Sequence, residues 1–162
     1  MSGGLGSAPL PPLAPDDHVL GSGCDQPRIV VYADYECPYC AALEQRLVAD
    51  EATWVFRHFP VRSKHPRAWA AACAAEAAAL QGRFAEMHAS LYADQARLED
   101  PHLWARASEL GLDVARFDAD RRSERVLARV RRDFESGVRA GVVTTPTLFE
   151  HGAMRVDVPA DT

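Results

Sequence analysis

At 162 residues with 48% hydrophobic side chains, the chain can build one well-cored domain with room for an inserted subdomain, and it is no peptide-sized scaffold. A formal net charge of −5 excludes any general attraction to nucleic acid or to an anionic membrane surface. No apolar run is long enough to cross a bilayer, and residues 1–27 hold neither Lys nor Arg ahead of a hydrophobic stretch, so the reading is cytoplasmic with no signal peptide. Lys64 is the single lysine; the arginine and alanine bias points to a bacterial source.

Residues 1–26 are rich in Gly, Pro, Ser and Asp, and Pro9, Pro11, Pro12 and Pro15 block regular structure, so this segment reads as a flexible tail that begins to dock on the domain at Asp17–Gly21. A β-branched and aromatic run, Arg28 to Ala33, has the pattern of a buried strand. Such a strand is roughly 20 Å long, which keeps Cys24 at its start away from Cys37 beyond its end. Cys24 is therefore read as an incidental thiol.

The strand runs into Asp34-Tyr35-Glu36-Cys37-Pro38-Tyr39-Cys40, and a helix should begin at Pro38, where a missing N–H costs nothing. Cys37 then falls at the N-cap, facing unpaired N–H groups and the positive end of the helix dipole, which favour a thiolate. Cys40 lies one turn on and can close a small disulfide ring with it. Glu36 opposes the thiolate by like charge. Redox chemistry is the leading reading of the pair; half of a zinc site or two inert core cysteines are the alternatives, and no second Cys-x-x-Cys or spaced His pair supports zinc.

Residues Thr53 to Phe59 read as a second strand ended by Pro60, completing a strand–helix–strand unit with a parallel pair and the Cys37 corner at its carboxyl end. Helices should follow to about Gly141. Trp69, Cys73, Ala77, Leu80, Phe84, Met87 and Leu91 form one apolar face, broken near Gly82, with Cys73 packed in it. A helix from about His102 stops at Gly111, Asp113 caps a short one, and a longer one runs from about Ser123 to Val138. In the last, Val126, Leu127, Val130 and Phe134 face inward, and Arg121, Arg125, Arg129 and Arg132 make a solvated stripe. His58, His65 and His88 read as structural histidines, with no spacing of a ligand set. The chain then enters a β-hairpin through Thr145-Pro146, whose position favours a cis bond, and turns at His151-Gly152.

Taken together, Cys37-Pro38-Tyr39-Cys40 at its corner, Phe56-Arg57-His58-Phe59-Pro60, Gln81-Gly82-Arg83-Phe84 with Met87-His88, and Gly141-Val142 ahead of Thr145-Pro146-Thr147 resemble the DsbA-like disulfide oxidoreductases of the thioredoxin superfamily. The resemblance spans about Asp17 to Gly152. It implies an α/β thioredoxin fold with a helical insertion at about residues 64–140 and, since little follows the hairpin, the expectation that the last helix is lacking. It also implies an exposed nucleophile at Cys37, a buried resolving thiol at Cys40, and a cis Pro146 packed on the disulfide with Thr145 offering backbone to an extended substrate. Pro38 and Tyr39 would tune the potential between the thiols. The expected activity is thiol-disulfide exchange with protein substrates and an unidentified redox partner, without metal or organic cofactor; a second copy could cover the face left by a missing helix. The alternative is a non-catalytic peptide-binding module on the same fold.

Overall fold

A computed structural model describes residues 10, 12–23 and 26–156. Cys24, most of the segment before residue 12, and residues 157–162, where the last helix was in question, lie outside the described residues.

Five strands form one mixed sheet in the order β1-β3-β2-β4-β5. β2 (Ile29–Ala33) and β3 (Thr53–His58) are the parallel pair, in register Val30↔Val55 and Ala33↔His58, joined through helix α1 (Pro38–Ala49). β1 (His18–Gly21) runs antiparallel along the outer edge of β3, while β4 (Thr147–Glu150) and β5 (Ala153–Val156) form an antiparallel hairpin on the far side of β2. The segment read as a tail thus contributes a strand at the place where docking was expected, because β3 would otherwise expose its edge. His151 and Gly152 both take positive φ, the turn geometry that follows the twist of a two-residue hairpin.

Between β3 and β4 lie α2 (Ala68–Ala79), α3 (Phe84–Ala93), α4 (Asp100–Glu109), α5 (Val114–Asp120) and α6 (Glu124–Arg139). Gly82, at φ 75°, ends the α2 stretch; Asp113 and Ser123 accept N–H bonds as the caps of α5 and α6. The two-residue period of the strands divides the core. Val31, Ala33, Trp54 and Phe56 face α1 and the insertion, while Val30, Tyr32, Val55 and Phe149 face a second cluster with Phe59 and Phe134.

Tyr32 and Phe59 are also what α6 crosses closely at Gly137. A Cβ added there would come within 2.7 Å of the Phe59 ring and 2.9 Å of the Tyr32 ring. Gly137→Ala is expected to lower stability by about 1–3 kcal/mol despite its gain in helix propensity, read as a lower urea midpoint at unchanged slope. A neutral or stabilising result would mean that α6 sits farther from the sheet.

The arginine row is solvated only in part: Arg125 and Arg132 are exposed, whereas Arg121 is buried and Arg129 half-buried. Arg121 is buried against Asp100 and Asp118, and Arg129 and Arg132 hold Asp16 from the segment leading into β1, with Arg132 Nη1 2.7 Å from Asp16 Oδ2. Helix periodicity places these residues away from the apolar face, and it carries no information about a distant segment laid across them.

Candidate active site

The turn from β2 to α1 is set by Asp34, whose buried carboxylate accepts from Glu36 N–H at 2.8 Å and Val61 N–H at 2.8 Å and lies 2.9 Å from His65 Nδ1. The Asp34 carbonyl takes the Cys37 N–H. Cys37 is the N-cap of α1 in extended backbone, Pro38 opens the helix, and the Cys40 N–H donates to Cys37 Sγ at 3.3 Å. Facing the pair, the Thr145–Pro146 peptide bond is cis, as expected, and Cys37 Sγ lies 3.7 Å from the Thr145 carbonyl oxygen.

Both cysteines are free thiols, and both are buried, each 2% exposed. Cys37 is thus not the exposed thiol the resemblance implied. The Thr145 side of the site lies over its sulfur, and its carbonyl is held by Gln95. Tyr39 is 53% exposed beside it.

The electrostatics separate the two sulfurs. The Cys40 thiol hydrogen-bonded to Cys37 is the largest cause that brings the Cys37 pKa down to about 6; burial opposes it, and the Cys40 N–H, the Thr145 side chain and the Tyr39 N–H add to it. Burial, followed by the hydrogen bond to Cys37, pushes the Cys40 thiol well above its ordinary value. One sulfur is a thiolate at neutral pH while its neighbour keeps a proton.

The opposing carboxylate, Glu36, is neutralised. Its two oxygens accept from Arg67 N–H at 2.9 Å and Arg67 Nε at 3.0 Å, and the same guanidinium reaches Glu99, the Ala96 carbonyl and the Gln95 carbonyl. Gln95 Nε2 in turn donates to the Tyr35 and Cys37 carbonyls at 2.9 Å each. The insertion therefore grips the corner through Arg67 and Gln95. Neither residue has a local sequence signal, since each is about 30 to 60 positions from its partners and unremarkable in its own helix or loop. Arg67→Ala should free the Glu36 charge and raise the Cys37 pKa by about one unit, which a pH titration of Cys37 alkylation reads; an unmoved titration would mean that Glu36 is too far or too solvated to matter.

Beneath the pair, Tyr35 Oη lies 2.8 Å from His88 Nδ1, and His88 Nε2 lies 2.7 Å from Glu44 Oε1. Burial is the main cause that holds the His88 pKa down, against the pull of Glu44. Of the three histidines read as structural, His58 and His88 are buried against carboxylates and His65 supports Asp34. Among the described residues no third ligating side chain joins Cys37 and Cys40.

A family model described as thioredoxin matches residues 13–157. A thioredoxin-like oxidoreductase from Silicibacter pomeroyi superposes with a TM-score of 0.74 at 27% identity, covering 88% of this chain and 84% of that one. The thiol-disulfide exchange protein alpha-DsbA2 from Wolbachia pipientis gives 0.72 at 18% identity over 85% and 77% of the two chains, a likeness of fold. In sequence, the chain is 41% identical over 152 residues to the Na(+)/H(+) antiporter NhaA 1 of Mycolicibacterium gilvum and 42% identical over 149 residues to NhaA of Herminiimonas arsenicoxydans. These matches cover 88% of this chain and 25% and 24% of those proteins, so it spans about a quarter of their length. No helix among the described residues is long and apolar enough to cross a membrane.

Proposed function

The chain belongs to the thioredoxin superfamily, and from that premise we propose that it exchanges disulfides with protein substrates through Cys37 and Cys40. The observation that carries the reading is the geometry of the pair: Cys37 caps α1, the Cys40 N–H donates to its sulfur at 3.3 Å, and the cis Thr145–Pro146 bond faces both, an arrangement in which the Cys37 thiol is lowered and the Cys40 thiol raised. The Cys37 thiolate attacks one sulfur of a substrate disulfide; a mixed disulfide forms, and the other substrate sulfur leaves as a thiolate and takes a proton. Cys40 then gives up its proton and attacks the Cys37 sulfur, closing the Cys37–Cys40 disulfide and releasing the first substrate sulfur. Two electrons pass to the substrate, and the reverse sequence oxidises a dithiol.

Thr145 and Pro146 supply the docking edge. The Thr145 carbonyl lies against the attacking sulfur, just ahead of β4, where an extended peptide can add backbone hydrogen bonds. Pro38 and Tyr39 fill the ring between the sulfurs, and Glu36 is set by Arg67. A thiolate held at neutral pH stabilises the reduced form, so the Cys37–Cys40 disulfide is more oxidising than one between ordinary thiols. The antiporters among the relatives are about four times as long, and this chain matches a quarter of their length.

Dithiol-dependent insulin reduction tests the proposal. The native chain should be active and Cys37→Ser inactive, with peptide binding retained in both. An inactive native chain that still binds unfolded peptides would turn the reading to a binding module.

A further inference from the structure

A second constellation lies on the sheet face turned toward α2, built from side chains other than the thiol pair. His18 pairs with Phe56 across β1 and β3, and His58 is two residues beyond Phe56, so both imidazoles project from the same face as diagonal neighbours. Their ring centroids are 6.3 Å apart. Glu76 descends from α2 between them, its Oε1 2.6 Å from His18 Nε2 and 2.7 Å from His58 Nε2.

We propose that His18, His58 and Glu76 form a binding site for a divalent transition-metal ion, Zn²⁺ foremost, that ties the edge strand β1 and the sheet to α2 of the insertion. The three ligating atoms lie within 4.8 Å of one another. Two imidazole nitrogens and one carboxylate oxygen are a borderline-soft donor set suited to zinc, cobalt or nickel, and a poor one for magnesium or calcium. Four-coordinate geometry at ordinary bond lengths separates such atoms by about 3.3 Å, so the groups need to part by about 0.6 Å. The rings are oriented beforehand: His18 stacks on Phe84 at 3.5 Å, and His58 is packed edge-on against Phe56.

Access and a fourth position are also present. A cavity of about 450 Å³ reaches His18 and Glu76 and is bounded by Asp16, Arg125, Arg129 and Arg132. Asp16 and Asp133 pair with Arg129 and Arg132, which blunts their repulsion of a cation at the mouth. Both histidines meet Glu76 at Oε1, so Oε2 of the same carboxylate is a further oxygen for the ion. The ligands stand at positions 18, 58 and 76, a spacing without any short motif. That is why the histidines read as structural and the chain as cofactor-free from sequence.

The Cys37→Ser/Cys40→Ser double variant removes the thiol pair from competition and makes the test independent of the exchange activity. Titrated with Zn²⁺ by calorimetry, it should take up one equivalent per chain at micromolar or tighter affinity, with a rise in thermal midpoint. Bound Co²⁺ should show visible d–d bands without a thiolate charge-transfer band. Adding His18→Gln should weaken binding by more than the roughly 10–100-fold lost with an outer-shell partner. Glu76→Gln, which can still hydrogen-bond the rings, should do the same. No stoichiometric binding, a thiolate band, or affinity unchanged by both substitutions would overturn the site.

Discussion

Cys40→Ser is expected to trap the chain in a mixed disulfide with its substrate, and Cys37→Ser to form none. The two sulfurs differ in charge and in what they touch: Cys37 caps α1 and lies against the Thr145 carbonyl, while Cys40 is enclosed beneath it with its proton held by burial. Only a thiolate attacks, so without Cys37 the first step has no nucleophile, and turnover should fall by about 10³-fold or more. Without Cys40 the first step survives and the intramolecular second step does not. The intermediate should then accumulate until an external thiol releases it, seen as a reducible higher-mass band on a non-reducing gel. Equal trapping by both single variants would mean that the sulfurs are interchangeable, and no trapping by Cys40→Ser would remove Cys37 as the attacking sulfur.

The second large effect lies in stability. Arg57 is buried in β3, with its guanidinium on Asp17 at 2.9 and 3.1 Å and on Tyr32 Oη at 3.1 Å, and Tyr32 Oη also meets Ser136 on α6 at 2.9 Å. Asp17→Ala removes a carboxylate from this interior charge, and breaking a buried pair typically costs about 3–5 kcal/mol, far more than breaking an exposed pair of the same length. At roughly 3 °C per kcal/mol in a chain of this size, the thermal midpoint should fall by about 9–15 °C. Burial is the largest single influence on Asp17 and raises its pKa; the Arg57 guanidinium and the Ala14 N–H outweigh it, so the folded value lies below the unfolded one. The pair therefore stabilises the fold above the ordinary carboxyl range near pH 4 and loses that contribution as pH falls through the lower folded value. Asp17→Ala should show a shallower acid unfolding limb than the native chain. A loss under about 1 kcal/mol would mean that water or another group reaches the guanidinium.

The parts legible in the sequence are those whose cause is local. Pro38 and the helix formers after it announced α1, the β-branched and aromatic run from Arg28 to Ala33 and the alternation from Thr53 to Phe59 announced the central strands, and Gly82, Gly111 and Asp113 punctuated the helices. Cys37, Cys40 and the cis Thr145–Pro146 bond, 105 residues downstream of Cys40, came together because a motif marks each end. What stayed hidden depends on contacts between distant segments. Arg67 and Gln95 act on the corner only because the insertion folds back over it; Asp16 pairs with Arg129 and Arg132 only because its segment lies across α6; His18 reaches Glu76 only once β1 has paired with β3. The burial of Cys37 is of the same kind, since a motif marks a nucleophile without saying what lies over it.

The measurement closest to the central claim is the pH dependence of alkylation of the reduced chain by iodoacetamide, with the labelled cysteine identified by mass. At pH 7 a pKa of about 6 makes Cys37 roughly 90% thiolate, against about 1% for a thiol near 9, while its intrinsic nucleophilicity falls about 30-fold over the same three units. The two effects nearly cancel in absolute rate, so the shape of the profile decides. Cys37 should label along a curve with its midpoint near pH 6 and a plateau above pH 7, and Cys40 should stay unlabelled until far more alkaline pH. A midpoint near the ordinary thiol value of about 8.5, or labelling of Cys40 first, would contradict the assignment of Cys37 as the poised thiolate.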